Sequence, residues 1–196
     1  MRILLTGVEG QVGRALAKPL GAFGQVVLAD ETVLDLANNA SIEAAIREIA
    51  PDLIVNPAAY TAVDRAESEP QLAMQVNATG PEVLAREALR IGARLVHFST
   101  DYVYDGAKPE PYLESDPASP GSAYGLSKLA GDLAIAASGC RHLVLRTAWV
   151  YDLTGANFLR TMFRLSTERD ELRVVDDQHG APTSSAAIAQ GCAQVL

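Results

Sequence analysis

Short apolar runs alternate with longer amphipathic ones from the first residues of the chain. Ile3-Leu4-Leu5, Val26-Val27-Leu28-Ala29, Leu53-Ile54-Val55, Leu95-Val96-His97-Phe98 and Leu143-Val144-Leu145 are short and rich in branched residues. Such runs predict strands buried on both faces, as a parallel sheet requires. Between them, Val12 to Leu20, Ser41 to Ile49, Pro81 to Ile91 and Ala123 to Ala137 carry helical spacing. Ser41 reads as an N-cap, Gly92 and Gly139 as stops, and Pro19 as the mark of a helix nearing its end. Val33-Leu34-Asp35 reads as a short edge strand. Strands alternating with helices imply right-handed βαβ units. The expected fold is α/β, a Rossmann-like doubly wound parallel sheet with helices on both faces.

The rhythm changes after Thr147. A loop from Trp149 to Ala156, a helix from Asn157 to Ser166, a strand from Leu172 to Val175 and a helix from Ser185 to Leu196 are expected there. No internal repeat or low-complexity linker separates this stretch from the rest.

Charge and composition narrow the function classes. The 196 residues carry a net charge of −8, with 48% hydrophobic and 20% charged residues, an ordinary globular balance. An acidic chain lacks the Lys and Arg excess that neutralises phosphates, which argues against a nucleic-acid partner. No apolar run reaches membrane-spanning length, and Thr6-Gly7 interrupts the first one too early for a signal-peptide core. Cys140 and Cys192 match no metal or redox spacing. A soluble cytoplasmic protein with no metal site is expected.

Gly7, Gly10 and Gly13 follow the first strand and open the first helix as G-x-x-G-x-x-G. Glycines at these places allow a tight turn, close backbone approach to a pyrophosphate and packing of helix on sheet. The helix N-terminus then offers N–H groups to the phosphates. Asp30 ends the second strand, where an acid accepts hydrogen bonds from the adenosine ribose. A carboxylate there repels a 2′-phosphate, so NADH should be tolerated. Glu9 is expected to face solvent. Asn56-Pro57-Ala58-Ala59 follows the third long strand and leaves room at the crevice. Residues 1–148 are thus expected to form an NAD(P)-binding domain. Residues 149–196 are expected to form a partial substrate lobe and returning elements.

Tyr124 and Lys128 are four apart on one helix and share a face. Ser99 and Thr100 close the neighbouring strand at its carboxyl end, where ligands bind in this architecture. A free phenol ionises near pH 10, roughly 4 kcal/mol from neutrality. A nearby ammonium and a positively charged nicotinamide are together expected to bring that value down. Tyr124 would pass a proton to a substrate carbonyl oxygen, Thr100 would hydrogen-bond to it, and Lys128 would also hold the nicotinamide ribose.

At these residues the sequence resembles the extended short-chain dehydrogenase/reductase superfamily and, within it, the dTDP-4-dehydrorhamnose reductases. The resemblance runs over the whole chain. It is carried by Gly10-Gln11-Val12-Gly13, the run from Val55 to Glu67, Ser99-Thr100-Asp101-Tyr102-Val103-Tyr104, Tyr124-Gly125 with Lys128-Leu129-Ala130-Gly131, Arg146 to Tyr151, and Asp177-Gln178 with Gly180-Ala181-Pro182-Thr183. It implies catalysis by Thr100, Tyr124 and Lys128. It further implies contacts to NADPH or NADH from Gly10, Gln11, Val12, Asp30, Asp35, Leu36, Ala59, Tyr60 and Thr61. Asp101, Tyr102 and Trp149 fall where the family lines its sugar-nucleotide site, which implies dTDP-4-dehydro-L-rhamnose as substrate. Sugar-nucleotide dehydratases of the superfamily carry Asp-Glu after the catalytic Thr, and Asp101-Tyr102 lacks that Glu, which favours simple reduction. The resemblance leaves a homodimer open, along with two other functions, a non-catalytic dinucleotide-binding or regulatory relative and a sugar-nucleotide epimerase. Pro57 and His179 depart from the family pattern, and the family continues past residue 196. His97 reads as a core residue, His142 as solvated, and Asp64, Glu67 and Glu69 as an acidic turn.

Overall fold

The computed structural model describes residues 1–196. Five strands form one sheet: β1 (Arg2–Leu5), β2 (Gln25–Leu28), β3 (Leu53–Asn56), β4 (Arg94–Thr100) and β5 (Arg141–Thr147). Their order is β2-β1-β3-β4-β5, and every neighbouring pair is parallel. The helices are α1 (Gln11–Leu20), α2 (Asn39–Ile49), α3 (Val63–Ala66), α4 (Pro70–Met74), α5 (Gly80–Ile91), α6 (Ala123–Ala137), α7 (Phe158–Glu168) and α8 (Ser185–Val195). One π-helical turn, Gln75–Thr79, joins α4 to α5.

Successive strand side chains point to opposite faces, and each face has its own core. Leu4, Ile54 and Leu95 pack with Ile42 and Ile46 of α2, Leu84 of α5 and Ile135 of α6. Ile3, Leu5, Leu53 and Val55 pack with Leu16 and Leu20 of α1 and with Ile188 and Cys192 of α8. Each fully buried aliphatic side chain contributes about 1.5–3 kcal/mol by leaving water. This arrangement fits the doubly wound sheet expected from the apolar runs. Because the chain leaves β1 for β2 on one side and later returns to β3 on the other, the strand order reverses beside β1. The reversal opens a crevice at the carboxyl ends of β1 and β3.

Three local expectations are corrected. Residues Val33 to Asp35 form no strand, and β2 is the edge instead. The amides of Val33 and Leu34 both donate to the Asp30 carbonyl, which bends the chain into a turn. Asn38, not Ser41, caps α2, accepting from the amides of Ala40 and Ser41. The Ser41 hydroxyl is turned back to accept from the Asp35 amide at 3.1 Å. Leu172 to Val175 form no strand either. No strand lies alongside to pair them, and Val175 is exposed. The short pair β6 (Val150–Tyr151) and β7 (Thr183–Ser184) forms a separate parallel ladder that the apolar pattern did not announce.

Residues 149–196 behave in two ways. Helix α8 returns to the sheet and packs on α1, whereas α7 buries no residue at all. Phe158 and Phe163 of α7 are 65% and 69% exposed. No helix is long and apolar enough to cross a membrane.

Candidate active site

The turn after β1 is shaped by glycine. Gly7 adopts φ +58°, and a Cβ there would lie 2.8 Å from the Ala58 amide nitrogen. A Cβ on Gly13 would collide with the Gly7 carbonyl. Gly10 is the N-cap of α1 and supplies no side-chain cap, so the first-turn N–H groups are left without a side-chain partner. The Glu9 side chain is exposed, as expected, while its carbonyl accepts from Arg14 at 2.6 Å. These features fit a dinucleotide pyrophosphate, whose oxygens would take the free amides. At the end of β2, Asp30 Oδ1 accepts from the Thr32 hydroxyl at 2.6 Å and from the amides of Thr32 and Val33. The Thr32 hydrogen bond holds this carboxyl below its ordinary range.

A single cleft of about 760 Å³ runs from this loop across the strand ends. Gly7, Gly10, Gln11, Val12, Gly13, Asp30, Asp35, Leu36, Ala59 and Thr61 line one part of it. Thr100, Asp101, Tyr102, Tyr124, Lys128 and Trp149 line the other. Tyr60 does not line it. Its phenol donates to Glu69 at 2.7 Å, and its amide and carbonyl are both held by Asn77 at 2.9 Å.

Thr100 ends β4 with its hydroxyl donating to Asp101 at 3.1 Å and accepting from the Tyr102 amide at 3.2 Å. Tyr124 lies in the first turn of α6, capped by Ser122, and its ring meets that of Tyr102 edge-on at 5.6 Å. Burial pushes the Tyr124 phenol up to about 12, with the Thr100 hydroxyl working in the opposite direction. The lowering was expected from Lys128 together with a positively charged nicotinamide, and among the protein's own groups burial outweighs it. The Lys128 ammonium is directed elsewhere, to the Phe98 carbonyl at 2.7 Å and to Nε2 of His97 at 3.1 Å. Burial brings Lys128 itself down to about 8, and the Asp132 carboxylate raises it in part.

Several contributors were not read from the sequence. His97 is fully buried, as expected, but it bridges Lys128 to Asn56, whose Nδ2 lies 3.0 Å from its Nδ1. Asn56 Oδ1 in turn accepts from the Thr6 hydroxyl at 2.6 Å. Asn77, in the π-helical turn, donates to the Ser127 hydroxyl at 3.0 Å, and Ser127 donates to the Tyr124 carbonyl at 2.7 Å. It thereby ties the Tyr60 loop to α6. Asp132, one turn beyond Lys128, accepts from Ser99. The spacing Tyr124, Lys128, Asp132 on one helical face was the available signal for it. In the acidic turn, Glu69 pairs with Arg65 at 2.7 Å and Glu67 accepts from the Ala123 amide at 2.8 Å.

The family model described as the RmlD substrate binding domain matches residues 1–196. A dTDP-4-dehydrorhamnose reductase of Burkholderia thailandensis is 49% identical over 196 residues, covering 100% of this chain and 66% of that protein. The enzyme of that name from Escherichia coli is 44% identical over 200 residues, covering 100% of this chain and 67% of the relative. The chain thus spans about two thirds of the length of the curated relatives it matches. A solved dTDP-4-dehydrorhamnose reductase of Clostridium acetobutylicum superposes with a TM-score of 0.95 at 42% identity, covering 100% of this chain and 70% of that one. One from Bacillus anthracis, in complex with NADP, gives 0.94 at 38% identity, covering 99% and 69%.

Proposed function

We propose that this chain, which belongs to the family of the RmlD substrate binding domain, reduces the 4-keto group of dTDP-4-dehydro-L-rhamnose to dTDP-L-rhamnose with NADPH or NADH. The observation that carries the reading is the convergence of Thr100, Tyr124 and Lys128 in the cleft that the glycine loop opens. The names of the relatives at 49% and 44% identity support the substrate, and the NADP complex supports the cofactor. The product is a precursor of cell-surface polysaccharide. A cytoplasmic setting belongs to the same reading, since the buried thiols of Cys140 and Cys192 stay reduced there.

NAD(P)H, when bound in the cleft, would supply the hydride for the carbonyl carbon. This chain's residues act on the oxygen. Tyr124, protonated at neutral pH, gives its phenolic hydrogen to that oxygen as charge develops there. Thr100 turns its hydroxyl from Asp101 to the same oxygen and acts as a second donor. Lys128 sits one turn from Tyr124 on α6 and lines the same cleft, and as an ammonium it would, together with a positively charged nicotinamide, stabilise the phenolate left behind. Its third hydrogen, beyond those given to Phe98 and His97, remains for the nicotinamide ribose. Asp30, which lines the cleft, would hold the adenosine ribose hydroxyls and would disfavour a 2′-phosphate by like charge.

The test is consumption of NADH or NADPH on addition of dTDP-4-dehydro-L-rhamnose. Tyr124→Phe is expected to lower turnover by about 10²–10⁴-fold, the usual range for loss of a general acid. Unchanged turnover in that variant removes the mechanism. A second reading, cofactor binding without turnover, rests on the glycine loop, whose fit to a pyrophosphate requires none of Thr100, Tyr124 and Lys128. Calorimetry separates the two: heat with NADH and none with the dTDP-sugar supports the second.

A further inference from the structure

The partners of Lys128 do not agree on which of them holds the hydrogen. Its Nζ lies 3.1 Å from His97 Nε2, His97 Nδ1 lies 3.0 Å from Asn56 Nδ2, and Asn56 Oδ1 takes the Thr6 hydroxyl at 2.6 Å. All four residues are buried to 1% exposure or less, so each polar atom has to be paired within the chain. With the Asn56 amide oriented this way, Asn56 donates to Nδ1. A neutral ring then carries its hydrogen on Nε2 and presents it to Lys128, which accepts it only as an uncharged amine. An ammonium at Lys128 reverses every direction. Nε2 has to be bare, Nδ1 carries the hydrogen, and the Asn56 carboxamide turns over so that its oxygen faces the ring and its NH₂ faces Thr6. The Thr6 hydroxyl serves both settings because it donates and accepts equally well. Any mixed setting puts two hydrogens face to face in a dry interior, which costs at least the loss of a hydrogen bond.

We propose that His97 is a positioning residue whose tautomer is locked to the charge on Lys128 through Asn56 and Thr6. The chain from Thr6 to His97 thus gives the Lys128 nitrogen a matched contact with His97 in either charge state. Between the settings one proton leaves Nδ1 and one joins Nε2, so the net change is the single proton lost by Lys128. Lys128 is the charge that acts on the ring, and burial keeps the imidazole neutral. Lys128 in turn faces Asp132 of its own helix, and Arg146 of β5 lies 3.5 Å from Asp132. Tyr124 and Asp101 lie at the cleft side of the same cluster. The proposal rests on the reduction proposed above only for its use, since the hydrogen-bond chain exists without turnover.

The test reads the two ring nitrogens of His97 by ¹⁵N NMR on this chain from pH 6 to pH 10, with His97→Gln identifying the signal. The expected result is a ring that stays neutral throughout, with Nδ1 protonated at low pH and Nε2 protonated once Lys128 has lost its proton. NADH affinity is measured in parallel. His97→Leu, which gives Lys128 no acceptor, is expected to weaken NADH at least fivefold. His97→Gln, whose amide serves as acceptor or donor, is expected to stay within twofold. A ring that becomes imidazolium at pH 6, a tautomer that never changes, or an NADH affinity indifferent to His97→Leu overturns the proposal. A chain that shows the tautomer change and binds NADH but reduces no sugar loses the reductase reading and keeps this one.

Discussion

The Ser99 hydroxyl donates to Oδ2 of Asp132 at 2.8 Å, while Oδ1 of the same carboxylate is buried without a hydrogen-bond partner. Burial pushes this carboxyl up, and Ser99, Lys128 and Arg146 bring it partly back. The carboxylate is what keeps Lys128 from falling further, since it is the group that raises the ammonium against its own burial. Asp132→Asn removes that charge at nearly constant shape. Its expected effect is a shift of the alkaline limit of NADH oxidation to lower pH, with the rate on the acid side held within about threefold. A pH profile of kcat/KM for parent and variant measures it. An unmoved alkaline limit would show that Asp132 does not act on Lys128.

Lys128 also links stability to pH. Its folded value, about 8, lies below the ordinary lysine value, so the native state gives up this proton before the unfolded chain does. Between about pH 8 and pH 10 the unfolded state binds more protons, and stability from this group rises with pH. The cost of burying the ammonium is fully present below pH 8. In urea unfolding, the difference between the parent and Lys128→Met is therefore expected to move in favour of the parent as pH rises through that window. Tyr124 has the opposite sign. Its phenol is held protonated in the fold to about 12, so its contribution is lost above pH 10.

The glycine loop makes a prediction of a different kind. A methyl group at position 13 meets the Gly7 carbonyl, which is backbone and cannot swing aside. Gly13→Ala is expected to push the first turn of α1 away from the loop and to weaken NADH by more than tenfold. Titration of NADH fluorescence measures it. Gly92→Ala tests whether any glycine change would do the same. It removes a left-handed residue at the end of α5 with open space around it, so it is expected to cost about 1 kcal/mol of stability and to leave NADH affinity alone.

The doubly wound sheet was legible because Ile3-Leu4-Leu5 and Leu53-Ile54-Val55 have no polar residue to turn towards water. Both of their faces had to be covered. The glycine loop and the pair Tyr124 and Lys128 were legible because their spacing carries the geometry. What escaped was decided by contacts distant in sequence or by side chains competing for backbone groups. Asp30 bends residues 33–35 away from the sheet by local hydrogen bonds that a β-propensity reading does not weigh. His97 looked like core because it is core, yet its partners Asn56 and Lys128 come from 41 and 31 residues away. Nothing in an apolar strand reveals which neighbour a ring nitrogen will meet. The phenol stands high because the fold buries it, which helical spacing does not reveal, and the same spacing says nothing of where the Lys128 nitrogen points.

Helix α7 is held by the Asn157 cap, by the bond of Asn157 to Gln11 and by a half-buried row of Leu159, Met162 and Leu165, and it buries no residue fully. Eleven residues are too few for a helix to be stable alone in water. Its amides are expected to exchange with deuterium through openings of a few residues, in seconds, while those of β1 and β3 wait for the whole sheet to open. Phe163→Ser should accordingly change the urea midpoint by no more than the equivalent of about 0.5 kcal/mol. A melting temperature taken on this chain therefore reports on the sheet and its two cores. It is blind to the order of α7, and a variant that erased the helix would pass a thermal screen unnoticed.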